Sequence, residues 1–123
     1  MHEQRMADEV SRKVEIAWLM AFYGGMLTEK QREVLALHCE EDMSLAEIAQ
    51  ETGVSRQGVH DMLTRSTQRL MDMEEKLGVA ARFRRIETGM EACRALLQEK
   101  RYEEAEDALD ALIRLYQEEN NGL

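Results

Sequence analysis

The sequence predicts an all-α protein of about six helices, a helix-turn-helix bundle followed by a C-terminal helical extension. Three observations predict it. Proline is absent and glycine counts only 7 of 123 residues, a composition that suits helices and not a sandwich or barrel with many tight turns. Apolar residues recur three and four positions apart through most of the chain, the period of a helix with one buried face. Helix-capping signals stand at intervals between those periodic stretches.

Residues 3–24 read as a long first helix. Val10, Val14, Ala17, Trp18 and Ala21 form one apolar stripe, and Ile16, Leu19, Met20 and Tyr23 form another. A helix apolar on two sides asks to be covered on both, which points to a partner subunit as well as the chain's own core. Gly24-Gly25 is expected to end it. Thr28 and Gln31 fit a capping box that opens a second helix, running to about Glu40 and burying Val34, Leu35 and Leu37. Glu40-Glu41-Asp42 breaks it. Ser44 and Glu47 form a second capping box, and the short helix it opens stops at Thr52-Gly53. Ser55 caps a fourth helix that continues to Leu77, with Gly78 as terminator. Its seam is Val59, Leu63, Ser66, Leu70, Met73 and Leu77. Val79, Phe83, Ile86, Met90, Cys93 and Leu97 repeat that alternating spacing, as do Tyr102, Ala105, Leu109, Leu112 and Tyr116, so two more helices follow with a break near Lys100-Arg101. Such seams fit helices packing inside one chain or an intermolecular coiled coil. The expected division is a helical domain at 1–77 and an extension or hairpin at 78–123.

Residues 45–64 carry the most information. Ile48 and Ala49 lie in the short helix, Gly53 follows Ala49 by four positions, and Val54, Ser55 and Val59 come next. This is the helix-turn-helix pattern. Ala49 is small because two helices cross there. Gly53 takes the left-handed conformation that the tight turn needs. Val54 and Val59 fill the wedge between the helices, and Ser55 satisfies amides at the start of the second helix. On a duplex, that helix would present Arg56, Gln57, His60, Asp61 and Thr64 to the major groove, where Arg reads guanine and Gln reads adenine. Arg65 and Arg69 would meet phosphate.

Charge argues against strong duplex binding. The chain carries a net charge of −9. Residues 55–70 hold three arginines against Asp61, flanked by seven acids against two bases in 29–51 and ten against four in 87–123. Affinity for nucleic acid comes mainly from neutralised phosphates, so weak intrinsic DNA binding is expected. DNA contact and a protein-binding role both remain open. A second basic group, Arg82, Arg84 and Arg85, fits ion pairs with nearby glutamates better than contact with an RNA backbone.

Other classes find little support. The longest apolar run, Ile16–Tyr23, is eight residues, against the roughly 20 of a membrane span. No signal-peptide pattern is present. Cys39 and Cys93 make neither a disulfide framework nor a metal set, so reduced thiols, a cytoplasmic location and no metal or cofactor are expected. His2, His38 and His60 are scattered, and no nucleophile elbow or phosphate loop assembles, so no enzyme is expected.

Tyr23-Gly24, Leu27–Arg32, Asp42–Ala49, Ser55–Asp61 and Glu75-Lys76-Leu77 together resemble the YlxM family over residues 15–77. These small helix-turn-helix proteins are similar to the promoter-reading last region of sigma factors, so the resemblance implies a sigma-region-4-like fold. It also implies an accessory or regulatory role in signal recognition particle targeting, with the particle's protein or RNA as partner and DNA-binding regulation as the alternative. The sequence departs from the family at His38 and Cys39, where aromatics are common, at His60, where Tyr is common, and at Gly58, where Ala is common. Gly58 is expected to cost the recognition helix about 1 kcal/mol relative to Ala.

Overall fold

The computed structural model describes residues 2–121, and the side chains of residues 3–118. Met1 of the expected first domain and residues 122–123 of the expected extension lie outside the described residues. Six α-helices follow one another: α1 (His2–Tyr23), α2 (Glu29–Cys39), α3 (Leu45–Thr52), α4 (Arg56–Leu77), α5 (Val79–Gln98) and α6 (Tyr102–Asn121), with one 3-10 turn at Gly24–Met26. No strand occurs among the described residues. The chain divides into two compact units, residues 1–80 and 81–123.

The ends of the helices follow from local chemistry. Thr28 Oγ1 accepts from Gln31 N at 3.1 Å and Gln31 Oε1 accepts from Thr28 N at 2.9 Å. Ser44 and Glu47 make the same reciprocal pair. Ser55 Oγ accepts from Gly58 N at 3.0 Å. Gly53 (φ 75°) and Gly78 (φ 64°) end α3 and α4 in the left-handed region that glycine enters without strain. Gly24-Gly25 ends α1 by another route. Neither glycine has positive φ; the chain tightens into the 3-10 turn, closed by Leu27 N donating to Gly24 O.

In the first unit α1, α2 and α3 all pack on α4. One cluster joins Ile16, Leu19, Tyr23, Leu27, Leu35 and Leu70 to Ala80. A second, around Val34, Ile48 and Val59, forms the wedge of the helix-turn-helix, with Ala49 and Val54 packed against it. Tyr23, Glu74 and the first turn of α5 are tied together by hydrogen bonds. The Tyr23 hydroxyl donates to Glu74 Oε1 at 2.5 Å and accepts from Val79 N, while Ala80 N donates to the same carboxylate oxygen. Two free amides at the start of α5 are thereby satisfied from α1 and α4. Burial and the Glu74 hydrogen bond push the Tyr23 phenol above its ordinary pKa. Lys13 of α1 pairs with Asp42 after α2 at 2.5 Å, which holds the Asp42 carboxyl below the usual range. The hydroxyl of Ser66 is buried and has no hydrogen-bond partner among the described residues.

Several expectations are corrected. α1 buries Ile16, Leu19 and Tyr23, but Val10 and Val14 of the other stripe are exposed, as is Ala21. Ala17 and Trp18 of the same stripe are half-buried, Trp18 packing on the first cluster and donating from Nε1 to Ala80 O at 3.4 Å. Leu37 is only half-buried because α2 turns its Val34–Leu35 edge inward. Leu77, the expected end of the α4 seam, is 64% exposed, since Gly78 turns the chain there.

The second unit is a helical hairpin. α5 closes with Lys100 in the left-handed region (φ 62°), Lys100 N donating to Leu97 O and Arg101 N to Leu96 O. This is the Schellman arrangement, with lysine where glycine is usual. Arg101 pairs with Glu99 and Glu104 across the turn. The side chain of Leu112 lies over Gly89, where a Cβ would come within 2.6 Å of Leu112 Cδ1. Glycine here lets α6 approach α5.

Candidate interaction surface of the helix-turn-helix

The turn between α3 and α4 aims the first half of α4 outward. Ile48 and Val59 are fully buried, so the opposite side of α4 must face solvent. Arg56, Gln57, His60, Asp61, Thr64, Arg65 and Arg69 are all exposed. The backbone of this helix start is held by Ser55, and Gly58 fits it for a spatial reason that the sequence does not reveal. A Cβ at position 58 would meet Val54 Cγ1 at 2.9 Å and Ser55 Oγ at 3.0 Å. Gly58 therefore relieves crowding inside the turn, and does not simply loosen the helix.

The exposed side chains partner one another. Gln57 Nε2 donates to Asp61 Oδ1 at 3.1 Å, and His60 Nδ1 lies 3.7 Å from the same oxygen. Thr64 Oγ1 donates back to the His60 carbonyl at 3.0 Å. The carboxylate of Asp61 thus stands at the centre of the face, with the amide that would read adenine turned toward it. A shallow depression lined by Leu45, Arg56, Gln57 and His60 lies between α3 and α4.

The first helix also borders this face. α1 runs alongside α4 in the same direction, Tyr23 meeting Glu74 at one end. At the other end Glu9, Arg12 and Lys13 line a valley of roughly 470 Å³ with His60, Leu63, Thr64 and Gln68. His60 and Thr64 accordingly share a groove with α1, whose side of it carries Glu9, Arg12 and Lys13. These α1 residues escape sequence reasoning because they lie some fifty positions from His60 and Thr64. Lower in the valley Ile16, Leu19 and Thr67 make an apolar floor beside Glu15, Asp72 and Glu75.

Among the described residues no three His, Cys, Asp or Glu side chains cluster to hold a metal ion. His38 Nδ1 lies 3.3 Å from Met43 O and its neighbour Cys39 is half-buried, with burial raising the thiol pKa. His38 contacts the turn after α2 through Met43 O, whereas Cys39 packs against the cluster of Ile16, Leu19, Leu35 and Leu70. No helix among the described residues is long and apolar enough to cross a membrane.

The model of the UPF0122 family, described as "Putative helix-turn-helix protein, YlxM / p13 like", matches residues 10–113. Similar curated proteins carry the same family name. One from Clostridium botulinum (strain Alaska E43 / Type E3) is 45% identical over 75 residues, covering 61% of this chain and 69% of the relative. One from Symbiobacterium thermophilum is 49% identical over 70 residues, covering 57% and 65%. One from Desulforamulus reducens is 46% identical over 69 residues, covering 56% and 59%. The matched stretch therefore spans about three fifths to two thirds of these relatives.

Proposed function

We propose that this chain, which belongs to the UPF0122 family of helix-turn-helix proteins, is a non-enzymatic accessory or regulatory factor of the signal recognition particle targeting pathway. It acts in the cytoplasm and binds the particle's protein or its RNA. The choice of pathway comes from the YlxM resemblance of residues 15–77. The observation that carries the choice of a protein-adaptor role over DNA reading is the α4 face itself. Its reading amide is hydrogen-bonded to Asp61, a carboxylate occupies its centre, and Glu9 of α1 lines the adjoining groove. A duplex would bring phosphates against those carboxylates, with Arg56, Arg65 and Arg69 of α4 and Arg12 and Lys13 of the groove to offset them, and Lys13 is already paired with Asp42. A protein partner makes no such demand, because charge there chiefly sets rate and specificity.

DNA-binding regulation is the second reading, favoured by the exposure of Arg56, Arg65 and Arg69 along one helix. The test is a titration of the purified chain against the particle's protein, its RNA and genomic DNA fragments at several salt concentrations. The adaptor reading expects saturable binding to the particle that Gln57→Ala and His60→Ala leave unchanged. A nanomolar, sequence-selective DNA complex weakened by Arg56→Ala, without particle binding, would overturn it.

A further inference from the structure

The strongest unexplained feature is the apolar surface of the second unit. α5 and α6 carry seams at alternating spacings of three and four, yet Met90, Leu97, Tyr102, Leu109, Ile113 and Tyr116 are between 45% and 62% exposed. Ala105 is the buried hydrophobic residue of this unit. The half-buried line that faces the other helix runs through Gly89, Cys93 and Leu96 on α5, and through Ala105, Ala108 and Leu112 on α6. At 100° per residue, the exposed apolar side chains stand about 75° to the same rotational side of each line. The helices are antiparallel, so both offsets open onto one side of the hairpin and merge into a single apolar face. The Schellman turn at Lys100 reverses the chain, and Leu112 sits over Gly89 where the two helices meet.

We propose that this face is a self-association surface, where two copies of the chain join their α5–α6 hairpins into a four-helix bundle with α5 of each copy against α6 of the other. Charge identifies the occupant. α5 carries four arginines against two glutamates, and α6 carries seven carboxylates against Arg114. Stacking α6 on α6 would oppose like charges, whereas α5 on α6 brings opposite signs together on both sides of a two-fold axis. A two-fold parallel to the helices makes that pairing and leaves every neighbouring helix antiparallel, the up-down arrangement of a four-helix bundle. Seams of heptad spacing on all four helices supply its interior. This inference is independent of the particle reading. It also moves the homo-oligomer interface expected on the first helix and the helix at 55–77 onto α5 and α6.

The experiment uses the full chain, light-scattering mass across micromolar concentrations, and two variants. The wild type is expected to have the mass of two chains. Met90→Lys and Leu109→Glu each place two like charges in the bundle and weaken association roughly a hundredfold or more. Mixing the two variants sets the introduced lysine of one copy against the introduced glutamate of the other at one of the two α5–α6 contacts. The second contact stays native, so the mixture regains the two-chain mass. That recovery also proves that both variants fold. A wild type of one-chain mass at high micromolar concentration would assign the face to some other occupant and overturn the proposal. A mixture that stays at one-chain mass, with helical circular dichroism intact in both variants, would overturn the α5-on-α6 pairing.

Discussion

Residues 1–80 and 81–123 are built from helices with the same seam spacing, yet the first set buries most of its seam around α4, whereas the second leaves its seams about half exposed. In the first unit Val34, Ile48, Val59 and Leu70 are wholly shielded from solvent. In the second, Met90, Leu97 and Leu109 occupy equivalent seam positions and remain about half exposed. The difference is the number of helices. α4 is flanked by three partners, whereas two helices have no third to lay across the groove between them. Periodicity therefore states which side chains want a partner. It does not state whether that partner lies in the same chain.

The contrast can be broken most severely in the first unit. Leu70→Ala removes a fully buried side chain that joins α1, α2 and α4, and a loss of about 2–5 kcal/mol is expected in urea unfolding. Leu109→Ala in the second unit should lose far less in dilute protein, with the cost growing as concentration rises. A Leu109→Ala cost as large as that of Leu70→Ala, and independent of concentration, would erase the distinction.

Glycines sharpen it next. Gly53→Ala forces a left-handed backbone on a residue with a Cβ and should cost about 1–2 kcal/mol, although the space around it is open. Gly58→Ala is the informative comparison. Helix propensity alone expects a gain of about 1 kcal/mol, but Val54 Cγ1 must give way. The gain should be absent, and a clear rise in Tm would show that Val54 moves freely. Smaller again is Ser66→Ala. Removing a buried hydroxyl without a partner should leave stability equal or raise it by up to about 1 kcal/mol; a measured loss would reveal a partner for that hydroxyl.

The last effect is one of pH. The Tyr23 pKa is raised in the folded chain, so the folded state holds the proton more tightly than the unfolded one. That contribution is complete below the ordinary phenol pKa and is lost as pH rises through the folded value. Alkaline unfolding should therefore steepen above about pH 10 in the wild type. In Tyr23→Phe the steepening should disappear, at the cost of the hydrogen bonds to Glu74 and Val79. Equal alkaline profiles for the two proteins would remove Tyr23 from this role.

Legibility in the sequence tracks the distance over which each interaction acts. Thr28 with Gln31, Ser44 with Glu47, and Gly53 and Gly78 lie within a turn of their effects, and all are readable. The helix-turn-helix core of Ile48, Val54 and Val59 spans a dozen residues and is also readable. Tyr23 meets Glu74 across 51 positions, and nothing local marks that pair. The groove that Glu9, Arg12 and Lys13 share with His60 and Thr64 is invisible for the same reason. The fit of Gly58 against Val54 escapes because propensity counts entropy and not space. Val10 and Val14 read as a stripe that asks for cover, and such a stripe looks alike in sequence whether the cover comes from the chain itself or from a partner.

The difference between the two units is tested most directly by backbone hydrogen exchange followed as a function of protein concentration. Protection of α2, α3 and α4 should be the same at every dilution, since their core is complete within the chain. Protection of α5 beyond its first turn, and of α6, should fall steeply as dilution separates the copies. Protection in α5 and α6 that equals that of α4 and does not change with concentration would contradict the account, because the hairpin would then need no partner to close its seams.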